Sequence, residues 1–156
     1  ITSTILIVTI SLVIAILIII KNVNDNKSFK FKTLSTTCNE FNVSGSIAYD
    51  KKRSSIYISN ITYCGGNDTN VYKKIECNLY EKNNNTNIVL SSCKSNSKEI
   101  TLEEYLKNIK LNIDNYTKTC KYYDNNSLYL EINATDKNNK ITTYKIPLEL
   151  KNNCSK

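Results

Sequence analysis

The sequence contains no histidine, methionine or tryptophan, and its 156 residues include only three glycines and one proline. Without histidine, the chain cannot form a Ser-His-Asp triad, a Cys-His nucleophile pair or a histidine-ligated zinc site. The sequence also holds no glycine-rich phosphate-binding loop. We therefore expect no catalytic, cofactor-binding or metal-binding residues, and a protein that is not an enzyme.

Two short groups of oxygen-bearing residues are the remaining candidates for catalysis or metal binding. Glu103 and Glu104 are adjacent carboxylates of the kind that acid–base catalysis uses, but acidic residues also favour the first turn of a helix. The segment 123–127, YDNNS, carries oxygen ligands that suit calcium. The favoured interpretation of Glu103 and Glu104 is a solvated helix start, and that of 123–127 is a plain polar turn. The six cysteines are too widely spaced in sequence for a zinc site made of cysteine alone.

The charge of the chain lies entirely at or after Lys21. Lysine and arginine total 21 against 14 aspartates and glutamates, which gives a net charge of +7. The lysines are spread singly and form no arginine-rich cluster, so we expect no nucleic-acid binding. A solubilising surface is the favoured interpretation, and weak attraction to anionic lipid headgroups or wall polymers is the alternative.

Residues 1–20, ITSTILIVTISLVIAILIII, contain no charged side chain. A helix of that length covers about 30 Å, the thickness of the hydrocarbon core of a bilayer. The run is longer than the apolar part of a signal peptide, and no small-x-small cleavage site follows it. We predict an uncleaved transmembrane helix at 1–21 in a plasma or envelope membrane, a polar linker at 22–37, and a domain at 38–156 outside the cytoplasm.

The domain at 38–156 alternates apolar and polar residues with period two, which predicts about seven short strands. The segment TLEEYLKN breaks this pattern, because Thr101 and Glu104 form a capping box and predict a two-turn helix. Short strands with polar turns and one apolar face each predict an antiparallel β-sandwich. The shared parity predicts a core made of Val43, Ile47, Ile56, Ile58, Val71, Ile75, Leu79, Leu106, Leu128, Leu130, Ile132, Ile146 and Leu148.

The segment 131–150, EINATDKNNKITTYKIPLEL, is predicted to form two strands joined by a polar turn. Pro147 marks the second strand as an edge or a bulge, since proline cannot donate to a ladder. This segment resembles the last hairpin of bacterial Ig-like surface domains. The resemblance rests on Ala134, Thr135, Asp136, Thr142 and Thr143, with Asn138-Asn139 where that family has Gly-Asn. It implies an Ig-like sandwich used for display, adhesion or spacing.

The six cysteines are predicted to form three disulfides between neighbours in sequence: Cys38–Cys64, Cys77–Cys93 and Cys120–Cys154. In an antiparallel hairpin, the numbers of opposed residues sum to twice the turn centre. The midpoints 51, 85 and 137 all fall in predicted turns. Opposed Cβ atoms lie about 4.5–5.5 Å apart, near the geometry of a disulfide. The pairing requires an oxidising compartment; the alternative is six free thiols in a cytosolic domain.

Asn-x-Ser/Thr sequons are frequent in this chain. They are glycosylation acceptors in a eukaryotic or viral secretory protein. The abundance of asparagine and lysine fits a low-GC genome, and chance occurrence is the favoured interpretation. The pattern also occurs at Asn26 and Asn153, and the candidate acceptors are Asn42, Asn60, Asn67, Asn84, Asn115, Asn125 and Asn133.

These features favour a single-pass membrane protein that displays an extracytoplasmic β domain for binding, adhesion or structural support. Its partners would be the lipid bilayer, through 1–21, and an unidentified protein or surface-polymer ligand. A viral or parasite envelope glycoprotein in attachment or entry is one alternative, and an enzyme with an unrecognised site is another. The chain does not begin with methionine, so we expect residues upstream; a cytoplasmic domain there would make the β domain a sensor.

Overall fold

The computed structural model describes residues 2–27, 30–37, 40–50, 53–66, 69–83, 86–96, 99–116 and 127–151. Most of the described chain is extended. In chain order the elements are α1 (Thr2–Lys27), β1 (Lys30–Thr37), β2 (Phe41–Tyr49), β3 (Ser54–Tyr63), β4 (Val71–Tyr72), β5 (Lys74–Asn83), β6 (Thr86–Lys94), β7 (Ile100–Thr101), α2 (Leu102–Lys107), β8 (Leu111–Tyr116), β9 (Ser127–Thr135) and β10 (Ile141–Lys151).

Eight strands form one antiparallel sheet in the order β6-β5-β9-β10-β1-β2-β3-β8. Strand β10 joins the two halves, because residues 141–148 pair with β9 and residues 149–151 pair with β1. The edge strands β6 and β8 approach each other, so the sheet is nearly closed into a barrel. The predicted mainly β, antiparallel architecture with a short helix is confirmed, whereas the Ig-like sandwich stays a prediction.

The N-terminal run forms the helix α1, which extends beyond the predicted end at residue 21 to Lys27. Its described large apolar side chains, from Ile7 to Val23, are exposed. Over the part of the chain that the structure describes, no helix combines the length and the apolar composition of a membrane span. The membrane-spanning role of residues 1–21 stays a prediction.

Strand β1 lies within the segment 22–37, for which the sequence predicted a polar linker. It pairs with β2 along its whole length and with β10 from Thr33 to Ser35. Leu34 is fully buried and Thr36 is nearly so. The structure therefore differs from the predicted linker here, because pairing on both sides makes a strand of a segment with few apolar residues.

The core lies on the inner face of the nearly closed sheet and is covered by α2. The predicted core residues are buried, with one exception. Val71 is only half-buried, and its neighbour Tyr72 is buried instead. The chain bends at Lys73, between β4 and β5, so the parity of β5 does not continue into β4. The core also includes Leu34, Phe41, Ile61, Tyr72, Cys77, Leu102, Tyr105, Leu111 and Ala134.

The helix and the turn that the sequence predicted are both present. Thr101 is the N-cap of α2, and its hydroxyl accepts a hydrogen bond from the Glu104 amide at 3.2 Å. In the β9–β10 turn, Asn139 adopts a φ of 62°. The Asp136 carboxylate accepts hydrogen bonds there from the amides of Asn138 and Lys140. Asparagine tolerates this left-handed conformation better than most residues, so Asn139 suits this position of the turn.

Candidate functional site

An aromatic and apolar strip crosses the outer face of four neighbouring strands. Tyr80 on β5 lies opposite Val89 on β6 and opposite Tyr129 on β9. Tyr129 in turn lies opposite Pro147 on β10. The rings of Tyr80 and Tyr129 stack, with 5.1 Å between their centroids and 9° between their planes. We refer to these four residues as the tyrosine strip.

Strand parity and one bulge place the tyrosine strip. Leu79 and Leu130, which adjoin the two tyrosines in sequence, are fully buried, so Tyr80 and Tyr129 lie on the opposite face. The β5–β6 register shifts between Leu79 and Tyr80, which leaves Leu90 as the extra residue of β6. This bulge brings Val89, which is 51% exposed, opposite Tyr80.

A polar network borders the tyrosine strip on β9 and β10. The Asn133 side-chain amide donates to the Glu131 carboxylate at 3.1 Å, and the Thr143 hydroxyl donates to the Asn133 oxygen at 2.7 Å. The ammonium of Lys145 lies 3.6 Å from Glu131. The network fixes the positions of hydrogen-bonding groups next to the stacked rings.

A cavity of about 310 Å³ adjoins Tyr129 and Pro147 of the strip. Its walls are formed by Lys82, Asn87, Leu128, Tyr129, Lys145 and Pro147. The two charged residues among them are both lysines. Burial, followed by the nearby Glu131 carboxylate, raises the pKa of Tyr129, so its phenol is neutral at physiological pH and can donate a hydrogen bond.

A pair of thiols forms a second chemically distinctive place, beneath α2. Cys77 on β5 lies directly opposite Cys93 on β6, as the sequence predicted for these two residues. Cys77 is fully buried, and Cys93 is partly buried. The Tyr105 hydroxyl donates to the Cys93 carbonyl at 2.6 Å. Both Cys93 and Tyr105 line a cavity of about 330 Å³ between β6 and α2.

Burial dominates the electrostatics of this thiol pair. It raises the pKa of Cys77 to about 12, and the neighbouring Cys93 adds to the effect. Burial also raises the pKa of Tyr105, with further contributions from Cys93 and Cys77. Both groups are therefore protonated at neutral pH. A thiol in this state reacts slowly as a nucleophile.

The other predicted disulfides involve cysteines outside the described residues. Cys38, Cys120 and Cys154 all lie there. Cys64 is exposed, and its amide donates to the Glu40 carbonyl at 2.7 Å. The three described cysteines are present as thiols. The structure thus brings together one predicted pair and leaves the pairing itself a prediction.

The reduced protein should lose stability in alkali because of Cys77. Its pKa is about 12 in the folded state against 9.0 ordinarily, so folding favours the protonated thiol. The contribution of Cys77 to the free energy of unfolding is therefore fully present below pH 9 and is lost as the pH rises towards 12. Urea unfolding at successive pH values measures it. The Cys77→Ala variant should show a shallower decline; an identical decline would contradict the assignment to Cys77.

The candidate glycosylation sites divide into three groups. Asn42 and Asn60 are exposed on β2 and β3. Asn133 is half-buried, and both ends of its side-chain amide are hydrogen-bonded. Asn67, Asn84 and Asn125 lie outside the described part of the chain, as does the side chain of Asn115. Among the described residues, Asn42 and Asn60 are thus the candidate acceptors that lie exposed on the surface.

Comparison of the chain with protein-family models, with curated proteins and with solved structures found no match.

Within the described ranges, no three histidine, cysteine, aspartate or glutamate residues are grouped so as to hold a metal ion. Glu103 and Glu104 lie in the first turn of α2, where Glu103 pairs with Lys107 at 2.7 Å. The segment 123–127 lies mostly outside the described residues.

The sequence did not predict the tyrosine strip as a site. Its four members come from four strands, and only the register brings them into one row. The usable signal is that Tyr80, Tyr129 and Pro147 have the outward parity of their strands. Single apolar residues scattered over a protein surface are ordinary, whereas several that lie side by side are typical of a binding surface.

Proposed function

We propose that the chain is held at a membrane through residues 1–21 and displays its β domain outside the cytoplasm, in a binding, adhesion or structural role and not as an enzyme. The observation that carries this proposal is the contiguous apolar surface of α1. Side chains such as Ile10, Leu12 and Leu17 are about half exposed or more. Exposed apolar surface of this extent is typical of segments that contact lipid or another protein.

The thiol pair supports an oxidising location. Cys77 and Cys93 are opposed on adjacent strands, which is where a disulfide forms with little backbone movement. Such bonds persist in extracytoplasmic compartments and are rare in the cytosol. We include the disulfides Cys38–Cys64, Cys77–Cys93 and Cys120–Cys154 in the proposal. The β9–β10 hairpin, with its polar turn, supports the resemblance to bacterial Ig-like surface domains, and we include an Ig-like sandwich in the proposal.

The topology can be tested by adding protease to intact cells or spheroplasts. We expect the β domain to be digested while a cytoplasmic marker protein stays intact, because the membrane shields only the cytoplasm. In detergent-lysed cells the protease reaches both proteins, so this control shows how far each is digested without the protection of a membrane. Full protection of the β domain in intact cells, with digestion after lysis, would contradict its display outside the cytoplasm.

An envelope glycoprotein in attachment or entry is a second candidate. The exposed positions of Asn42 and Asn60 favour it, because an acceptor asparagine must be accessible to the glycosylating enzyme. Endoglycosidase treatment of the native protein separates the two candidates. A faster-migrating product supports the glycoprotein, and unchanged mobility supports the unglycosylated surface protein.

A further inference from the structure

The tyrosine strip has the shape and chemistry of a stacking platform for sugar rings. The rings of Tyr80 and Tyr129 cover part of each other, and together with Val89 and Pro147 they form an apolar row that lies between polar rows of the same face. The C–H groups of a sugar ring carry partial positive charge and suit the negative face of an aromatic ring. Strands lie about 4.8 Å apart, so a strip across four of them is long enough for more than one sugar ring.

The groups beside the strip match the hydroxyls of a carbohydrate. Asn87 and Tyr129 line the cavity, and the Glu131 and Asn133 side chains stand in the next rows of β9. Amide, carboxylate and phenol groups together supply both donors and acceptors. The mutual hydrogen bonds of Glu131, Asn133 and Thr143 hold the network in place before any ligand arrives. Preorganised groups lower the entropic cost of binding.

The charges at the cavity favour an acidic sugar over a neutral one. Lys82 and Lys145 are both exposed and are the charged residues of its lining. Lys145 also lies 3.6 Å from Glu131, and an ammonium with three donors can serve that carboxylate and a ligand together. The net charge of +7 attracts a polyanion towards the domain as a whole.

We propose that the tyrosine strip and the adjoining cavity bind an acidic polysaccharide of the uronic-acid type. The sugar rings stack on Tyr129 and Tyr80, and a ring carboxylate lies between Lys82 and Lys145. A protein partner is the competing occupant. Protein interfaces of standard size bury about 800 Å² per partner and are depleted of charge at their centre, whereas lysines here adjoin the strip directly. The inference rests on the proposed surface display and names its ligand.

Calorimetric titration of the full chain, in detergent micelles, with polygalacturonate tests this site. Tyr129→Thr removes the ring but keeps a residue that favours strands, and it should weaken binding about tenfold or more. Tyr129→Phe keeps the ring and should bind within about threefold of the wild type. Tyr57→Thr is the matched control, since Tyr57 is 38% exposed on β3, away from the strip. It should bind as the wild type does.

Two further ligands separate stacking from simple charge attraction. Polyglutamate carries carboxylates without sugar rings and should bind far more weakly than polygalacturonate. Dextran carries rings without charge, and Lys82→Gln should weaken binding of polygalacturonate but not of dextran. Thermal unfolding of each variant verifies that it is folded. If Tyr129→Thr is unfolded, loss of binding in Tyr80→Thr with retention in Tyr57→Thr supports the same site.

Several results would overturn the proposal. These are equal binding by wild type and folded Tyr129→Thr, equal binding of polyglutamate and polygalacturonate, and no binding of polygalacturonate by the wild type, as a protein-docking face would give. The protease experiment fails independently of these. Binding by a domain that proves to face the cytoplasm would overturn the surface display and leave the sugar site standing.

Discussion

Replacing Leu130 with alanine should lower the free energy of unfolding by about 2–5 kcal/mol. Leu130 is fully buried at the middle of β9, where it lies opposite Leu79 on β5 and Ile146 on β10. Both of those side chains are buried as well, so the shortened side chain leaves a cavity that its strand-held neighbours cannot fill. Urea unfolding at neutral pH measures the difference.

Ile141→Ala is the matched control for this core truncation. Ile141 is also an aliphatic residue of the same sheet, on β10, but it is 61% exposed. Its loss should change the free energy of unfolding by no more than about 0.5 kcal/mol. Equal effects of Leu130→Ala and Ile141→Ala would mean that the inward parity of β9 is misassigned.

Oxidation of the Cys77–Cys93 pair should raise the free energy of unfolding by about 3 kcal/mol. The bond closes a loop of about 16 residues, and the cross-link reduces the conformational freedom of the unfolded chain. Two thiols lose two protons and two electrons, which oxidised glutathione accepts as it becomes two molecules of reduced glutathione. Urea unfolding of the oxidised and reduced protein gives the difference.

Peptide mapping under non-reducing conditions identifies the bond. We expect Cys77 and Cys93 in one cross-linked fragment, and exposed Cys64 outside it. The Cys77→Ala, Cys93→Ala double variant is the control, since its stability should not change on oxidation beyond what the other cysteines contribute. A Cys64–Cys77 link, or a Cys77 that stays alkylatable after oxidation and unfolding, would contradict the pairing.

Local pattern was enough to predict the strands with one strongly apolar face. In β9, Leu128, Leu130 and Ile132 alternate with polar residues or tyrosine, and all three are buried as their parity requires. Helix α2 was predictable for a similar reason, since Thr101 carries its own start signal. Each of these features is decided within a few residues of sequence.

The remaining features depend on contacts between distant segments. Strand β1 offers few inward apolar residues, and its place in the sheet comes from pairing with β2 and β10. The bend at Lys73 makes Tyr72 the buried residue of β4 in place of Val71, and the local alternation of the sequence does not predict this. The tyrosine strip needs the β5–β6 bulge and three registers at once. Non-local pairing of this kind is specified by the whole fold.

The central position of β1 has a mechanical consequence. A pull transmitted along α1 enters the sheet at Lys30, the first residue of β1. That strand pairs with β2 from Lys30 to Thr37 on one side and with the end of β10 on the other. The load therefore acts as shear on two ladders whose bonds must break together, and not as peeling of an edge strand bond by bond. If residues 1–21 anchor the chain, as proposed, this arrangement would resist a pull between the anchor and a ligand bound to the β domain.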